Sequence, residues 1–227
     1  MKYDHTCVPR NAGIQEVAFA PRKAEIWNRL AEKYARSPVA DPESYETKLA
    51  LTREYFTSDS RVLELACGTG TTAIHHAPFV RSIRGVDISS GMIRIARRKL
   101  AETSISNVSF EVDDIETMVL ENDAYDVVMA HSILHLVSDR QRVLDRMMRL
   151  VRPGGYIVTS TMCLSDAFRF RLMSPVFGLL RFFGLPKVSP FTSGQLQDEI
   201  ETSGFQTVHR WQPSADKAAF FIAKRPD

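Results

Sequence analysis

The sequence predicts a mostly parallel α/β sheet of seven strands, covered by helices on both faces and closed at one edge by an antiparallel hairpin. Three observations carry this. Short apolar, β-branched runs alternate with stretches of helical periodicity, as successive strands and helices do. The strand-like runs are five to seven residues long, the length of strands in a sheet covered on both faces. The last two runs, Phe205–Trp211 and Ala218–Ala223, have no helical stretch between them and are joined through Pro213-Ser-Ala-Asp216, which makes them a hairpin.

Taken in order, Arg22–Tyr34 places Ile26, Trp27, Leu30 and Tyr34 at helical spacing. Asp41-Pro42 opens a second helix, with Asp41 as N-cap and Pro42 at the first position. Strands follow at Arg61–Ala66, Ser82–Val86, Val108–Val112, Tyr125–Ala130 and Tyr156–Thr161, with helices near Thr71–Phe79, Ser90–Glu102 and Ser138–Val151. Ser138-x-x-Gln141 and Thr192-x-x-Gln195 both fit a capping box and mark helix starts. No internal repeat or low-complexity linker occurs. One stretch breaks the alternation: Ser165–Lys187, aromatic and basic, is inserted between the fifth strand and the next helix.

Composition bounds the function. The chain has 227 residues, 44% hydrophobic and 25% charged, which are globular values and enough for one domain with a full core. A formal net charge of +2 is too small to imply nucleic acid or an acidic polymer as partner. The longest run without Asp, Glu, Lys or Arg is Leu65–Val80, 16 residues broken by glycines, histidines and Pro78, so no transmembrane helix is expected. The first ten residues carry Asp4 and no apolar h-region, unlike a secretory signal. Cys7, Cys67 and Cys163 are too widely spaced for a metal site or a disulfide framework, which fits reduced thiols in a cytoplasmic protein.

The most informative segment is Val62-Leu-Glu-Leu-Ala-Cys-Gly-Thr-Gly-Thr-Thr-Ala73, a strand running into Gly68-x-Gly70 and then a helix. Glycines there let backbone approach a ligand at a helix start. Gly68-x-Gly70-x-x-Ala73 satisfies the dinucleotide fingerprint, a weak signal alone. The second strand ends in Gly85-Val-Asp-Ile88, which puts Asp87 19 residues beyond Gly68, where an acid suits a ribose diol. Glu64, four residues before Gly68, separates the nucleotide readings. A carboxylate so near the loop repels a pyrophosphate but suits a ligand with an ammonium and a sulfonium, such as S-adenosylmethionine.

Several segments then resemble one family in register. Glu64-Leu-Ala-Cys-Gly68-Thr-Gly70 resembles motif I of the class I S-adenosylmethionine-dependent methyltransferases, and Gly85-Val-Asp87-Ile-Ser89 motif II. Val112-Asp-Asp114-Ile115 resembles the family's adenine-reading segment, Tyr125-Asp-Val-Val-Met-Ala-His131 its fourth-strand motif, and Leu150-Val-Arg-Pro153-Gly154-Gly155 the turn before its fifth strand. The resemblance covers roughly residues 20–163 and implies a Rossmann-like fold. It implies that Gly68 and Gly70 pass under the methionine moiety, that Glu64 holds its amino-acid end, and that Asp87 takes the ribose hydroxyls. Ile88 and Met92 would cover one adenine face, with Asp114 and the Ile115 backbone at the adenine edge, or Asp113 if the register slips by one. Ala66 stands in the cofactor loop where the family often has glycine. His131 would face the transferred methyl group. Seven acids and no Lys or Arg in Glu111–Asp126 agree with a cationic ligand.

Methyl transfer needs alignment more than a reactive side chain, since orientation alone contributes ~7–11 kcal/mol. A hydroxyl or amine acceptor can still use a base, and His131 and His135 are the candidates. Their spacing resembles a helical metal pair, but no third ligand is evident and no metal is expected. His75-His76 reads as a helix-face pair, and Arg94, Arg97, Arg98 and Lys99 as a solvated face. Trp27 and Tyr34 either close over the cofactor or pack in the core. The expectation is a single methyltransferase domain over 1–227, with residues 22–56 as a helical cap and about 164–190 as a lid. The absence of Asn-Pro-Pro-Tyr or Asp-Pro-Pro-Tyr after the fourth strand favours a small-molecule acceptor over nucleic acid or protein. Ten large apolar residues in 165–187, among them Phe177, Phe182 and Phe183, suggest either a packed lid or a peripheral membrane or lipid-like contact, with Ser174-Pro175 starting a short helix there. The rival functions are an NAD-dependent oxidoreductase and a non-catalytic scaffold. Oligomeric state is not legible.

Overall fold

In the computed structural model, which describes residues 20–167 and 189–227, two helices precede the sheet: α1 (Ala20–Arg36) and α2 (Pro42–Arg53). The chain continues through β1 (Arg61–Leu65), α3 (Thr71–His76), β2 (Ser82–Asp87), α4 (Ser90–Ala101), β3 (Val108–Val112) and β4 (Tyr125–His131). It ends through α5 (Arg140–Leu150), β5 (Val151–Thr161), α6 (Ser193–Thr202), β6 (Gln206–Trp211) and β7 (Ala219–Lys224). The strands form one seven-stranded sheet in the order β3-β2-β1-β4-β5-β7-β6. All pairs from β3 through to β5 are parallel, and β7 is antiparallel to both β5 and β6. This is the predicted Rossmann-like architecture with its carboxyl-terminal hairpin. The order reverses between β1 and β4, which opens a crevice at their carboxyl ends.

Alternation along each strand explains the near-continuous apolar runs. Leu63, Leu65, Val128, Ala130, Ile157 and Phe221 point to the face covered by α5 and α6. Val62, Val127, Met129, Val158, Phe220 and Ile222 point to the other face, where Ala73, Ile93 and Ala96, and Leu51 meet them from α3, α4 and α2, with Ala77 just after α3. Both faces are covered over the central strands, so both parities are largely apolar there, whereas the edge strands β3 and β6 carry exposed residues.

The first helix is fastened to α4. Asn28 on α1 accepts hydrogen bonds from Ser89 Oγ (2.7 Å) and the Gly91 N–H (2.9 Å) at the start of α4. Trp27, Ala31, Met92 and Ile95 fill the seam between these helices. Asp41 caps α2 by accepting from the Ser44 N–H, as its Asp-Pro signal predicts. Thr192 and Gln195 form the reciprocal capping box of α6.

Four expectations need correction. Ser138 does not cap α5. Its hydroxyl donates to Glu116 at 2.8 Å, and Asp139 caps instead by accepting from the Arg142 N–H. β5 starts at Val151, not Tyr156, because Val151 already pairs with Tyr125 and the Pro153-Gly154-Gly155 segment is an irregularity within the strand. The α4 face is only partly solvated: Arg97 donates twice to the Phe110 carbonyl, and Lys99 donates to both Thr69 and Thr71 hydroxyls at 2.9 Å. His76 is fully buried, not on an open helix face. The readings of 165–187 as lid or membrane contact, and of a helix start at Ser174-Pro175, fall almost wholly on 168–188, outside the described residues. No described helix is long and apolar enough to cross a membrane.

Gly70 shows how tightly the loop after β1 is set. A Cβ there would lie 2.5 Å from Phe110 Cζ and 2.8 Å from Ala96 Cβ, at a φ of 74° that disfavours L side chains. Overpacking and left-handed strain together put Gly70→Ala at about 2–4 kcal/mol of lost stability. Urea unfolding should show this loss, and a variant as stable as the wild type would contradict the packing described.

Candidate functional site

The loop between β1 and α3 is built from alternating left-handed residues: Ala66 at φ 54°, Gly68 at 54° and Gly70 at 74°. The left-handed conformation of Ala66 explains why glycine would suit this position. The two glycines serve different ends. Gly70 is forced by the Phe110 ring, whereas the missing Cβ of Gly68 faces a gap bounded by Tyr34 Cε1 at 3.9 Å. Backbone is thus exposed at Gly68, where a ligand can approach it.

Two acids frame this loop. Asp87, at the end of β2, accepts from the Gly68 N–H (3.0 Å) and the Ser89 N–H (2.8 Å), tying the β1 loop to the start of α4. Burial raises its pKa, and these two hydrogen bonds pull it back down. Glu64, on β1, is 3% exposed. It accepts from the Ala73 N–H, while its Oε2 has no partner. Burial pushes its carboxyl up to about 8, with the Asp87 charge adding to the shift. A buried carboxyl oxygen without a protein partner is unfavourable unless another donor reaches it.

Tyr34 of α1 lies over Gly68 and is 53% exposed. Burial raises the pKa of its hydroxyl, as do the Glu64 and Asp87 carboxylates it faces. Trp27, the other aromatic of this helix, packs in the seam with α4. Just beyond Asp87, Ile88 is half-buried and Met92 is buried against α1. Asp113 accepts from the Asp114 N–H and Asp114 from the Glu116 N–H, each at 2.8 Å, so both acids shape the turn after β3. Ile115 is buried beneath it. Lys23 of α1 reaches Glu116 at 2.8 Å and draws the cap over this side.

The structure separates the two histidines proposed as bases. His131 ends β4 two residues after Met129, the register partner of Glu64, which places it on the Glu64 face of the sheet. His135 holds Thr161 Oγ1 at 3.0 Å, and Thr161 alternates to the opposite face. The two therefore form no metal pair. Burial pushes each down to about 4, so both are neutral near pH 7, and the Lys48 charge adds to the shift at His131.

Sequence reasoning missed two neighbours of His131. His76 lies edge-on to Phe56 at 5.1 Å with neither ring nitrogen partnered. Burial, and then the nearby His131, push it down to about 3. Its spacing with Ala73, Ala77 and Val80 follows the inner stripe of a helix and could have revealed this. Lys48, on α2, stands over the Trp211 ring. No motif marks it.

A glycine loop at the switch point, with an acid on each of two adjoining strands, defines a nucleoside-binding α/β enzyme whose ligand carries positive charge. The chain belongs to the methyltransferase-domain family, whose model matches residues 56–189. It is a class I enzyme with S-adenosylmethionine as cofactor. It is 26% identical to a demethylmenaquinone methyltransferase of Leptospira interrogans over 89% of this chain and 92% of that one. It is 30% identical to a ubiquinone biosynthesis O-methyltransferase of Coxiella burnetii over 69% of this chain and 65% of that one. Among solved structures it matches the YcgJ protein of Bacillus subtilis with a TM-score of 0.68 at 16% identity, over 80% of this chain and 99% of that one.

The raised Glu64 carboxyl has a measurable consequence. In the ligand-free protein it is mostly protonated at pH 7, whereas pairing with an ammonium favours the ionised form. Binding of S-adenosylmethionine should release a proton, and the dissociation constant should tighten by up to about tenfold from pH 6 to pH 7. Calorimetry in buffers of different ionisation enthalpy measures both. No proton release and a flat affinity would mean that Glu64 does not receive the cation.

Proposed function

We propose that the protein transfers a methyl group to a small-molecule acceptor by in-line displacement, with Glu64, Gly68, Gly70 and Asp87 holding the donor and His131 at the reacting edge. The observation that carries this is the buried, half-partnered Glu64 carboxyl beside the open Gly68 backbone. Bound S-adenosylmethionine supplies a methyl already activated by a positive sulfur. The protein's part is to bind, orient and exclude water, which suits a site without a strong nucleophile.

Glu64 Oε2 takes the amino-acid end, and the Gly68 backbone lies beneath it. Asp87 accepts from the ribose hydroxyls while its bonds to the Gly68 and Ser89 N–H groups fix its position. Ile88 and Met92 line the adenine face, with Asp114 and the Ile115 backbone at its edge and Ala66 within the loop. Tyr34 closes over the loop from α1. His131 stays neutral from about pH 5 upward and can accept a proton as an acceptor hydroxyl attacks. His135, held by Thr161 on the other face, acts as a positioning residue for the loop after β4. The small-molecule assignment, extending to lipid-like acceptors, is supported by the relatives named for demethylmenaquinone and for ubiquinone biosynthesis. Once ionised, the buried Glu64 carboxyl attracts a cation and would repel the pyrophosphate of a dinucleotide in this loop.

Charge-assisted hydrogen bonds contribute ~1.5–3 kcal/mol each, and ~1.4 kcal/mol is a decade of affinity. Asp87→Ala should therefore weaken cofactor binding at least tenfold in a calorimeter. His131→Ala should leave that affinity within about twofold and lower turnover, measured as labelled methyl carried into a small-molecule extract. If Asp87→Ala binds like wild type, or no small molecule is labelled, this reading is wrong.

A further inference from the structure

The carboxyl edge of the sheet is divided by charge. Acids, Glu64 and Asp87, line the cofactor side. Across the switch point, His131, Ser160, Phe220 and Trp211 lie in register over β4, β5, β7 and β6. Lys48 of α2 stands over this row, its ammonium 6.0 Å from the Trp211 ring centroid, and is close enough to His131 to oppose protonation of the imidazole. Lys48 is half-buried, and burial lowers its pKa.

Among the described residues this ammonium has no carboxylate of its own. The nearby Asp41 is taken by Lys217 at 2.8 Å and by the Ser44 N–H and hydroxyl. Lys217 adds a second positive charge in the vicinity. His131 and His76 are neutral, and Tyr45 of α2 is occupied with the Thr72 hydroxyl. A partly desolvated cation over the Trp211 ring and near the neutral His131 imidazole is stabilised by an anion brought from outside.

We infer that the methyl acceptor carries an ionised oxygen acid, a carboxylate or a phosphate, which pairs with Lys48 while the acceptor's nucleophilic atom lies at His131. The inference rests on the small-molecule reading above and narrows it. Lys48 then selects the acceptor and leaves the donor untouched, because it lies on the far side of the switch point from Glu64 and Asp87.

The test passes a small-molecule extract of the source cells over a strong anion exchanger at pH 8 and assays each fraction with the full-length enzyme and methyl-labelled S-adenosylmethionine. Acceptor activity should be retained and elute with salt. Phosphatase treatment of the extract should abolish that retention for a phosphate and leave it for a carboxylate. At limiting acceptor, Lys48→Met should lower labelling at least tenfold, Lys48→Arg should restore it to within about threefold of wild type, and both should bind S-adenosylmethionine like wild type. Acceptor activity in the flow-through, or full labelling by Lys48→Met, would overturn the inference. No label in any fraction would overturn the small-molecule reading, and the inference with it.

Discussion

The site depends on a single costly placement: the Glu64 carboxyl, buried at the end of β1 with one oxygen unpartnered. Raising this carboxyl from 4.5 to about 8 destabilises the folded protein by roughly 3 kcal/mol at pH 7, where the folded form must keep a proton that the unfolded chain gives up, each pKa unit corresponding to about 1.4 kcal/mol. Its surroundings are arranged around that acid. The left-handed turn from Ala66 to Gly70 lifts the backbone away from it, the Ala73 N–H partners one oxygen, and Asp87 fixes the Gly68 end. Phe110 and Lys99 brace the loop from outside, the first through the space at Gly70 and the second through two threonine hydroxyls.

The switch point converts chain topology into a division of labour. β1 and β2 carry the acids near their carboxyl ends, while β4 ends at His131 and β5 pairs with Phe220 on the other side. The Glu64 acid and the neutral His131 imidazole thus stand on adjoining strands. The amino-terminal helices complete both halves. α1 is tied to α4 by Asn28 and to the turn after β3 by Lys23, which brings Tyr34 over Gly68. α2 brings Tyr45 to the Thr72 hydroxyl at the start of α3 and Lys48 over the Trp211 ring.

Much of this was legible in the sequence because the signals were local. Glycines at 68 and 70, the acids at 64 and 87, the Asp41-Pro42 start and the Thr192 capping box each follow from short-range geometry. The misreadings arose where a distant partner decided the outcome. Ser138 lost the cap to Asp139 because Glu116, twenty-two residues earlier, takes its hydroxyl. Pro153-Gly154-Gly155 reads as a turn, but pairing of Val151 with Tyr125 extends the strand through it. Arg97 and Lys99 look solvated until Phe110 and the glycine loop pack beside them. His131 and His135 stand four residues apart, and only the sheet register and Thr161 show that they serve opposite faces.

The central claim is that Glu64 sacrifices stability to receive a cation, and it is tested most directly by pairing two measurements on Glu64→Gln. Glutamine keeps the size of the side chain and an oxygen for the Ala73 N–H while removing the buried acid. Urea unfolding of the ligand-free variant at pH 8 should show stability equal to or above that of wild type. Calorimetry on the same sample should show S-adenosylmethionine bound at least tenfold more weakly. A variant that is less stable yet binds the cofactor normally would contradict the account, since Glu64 would then be a structural acid with no cation to meet.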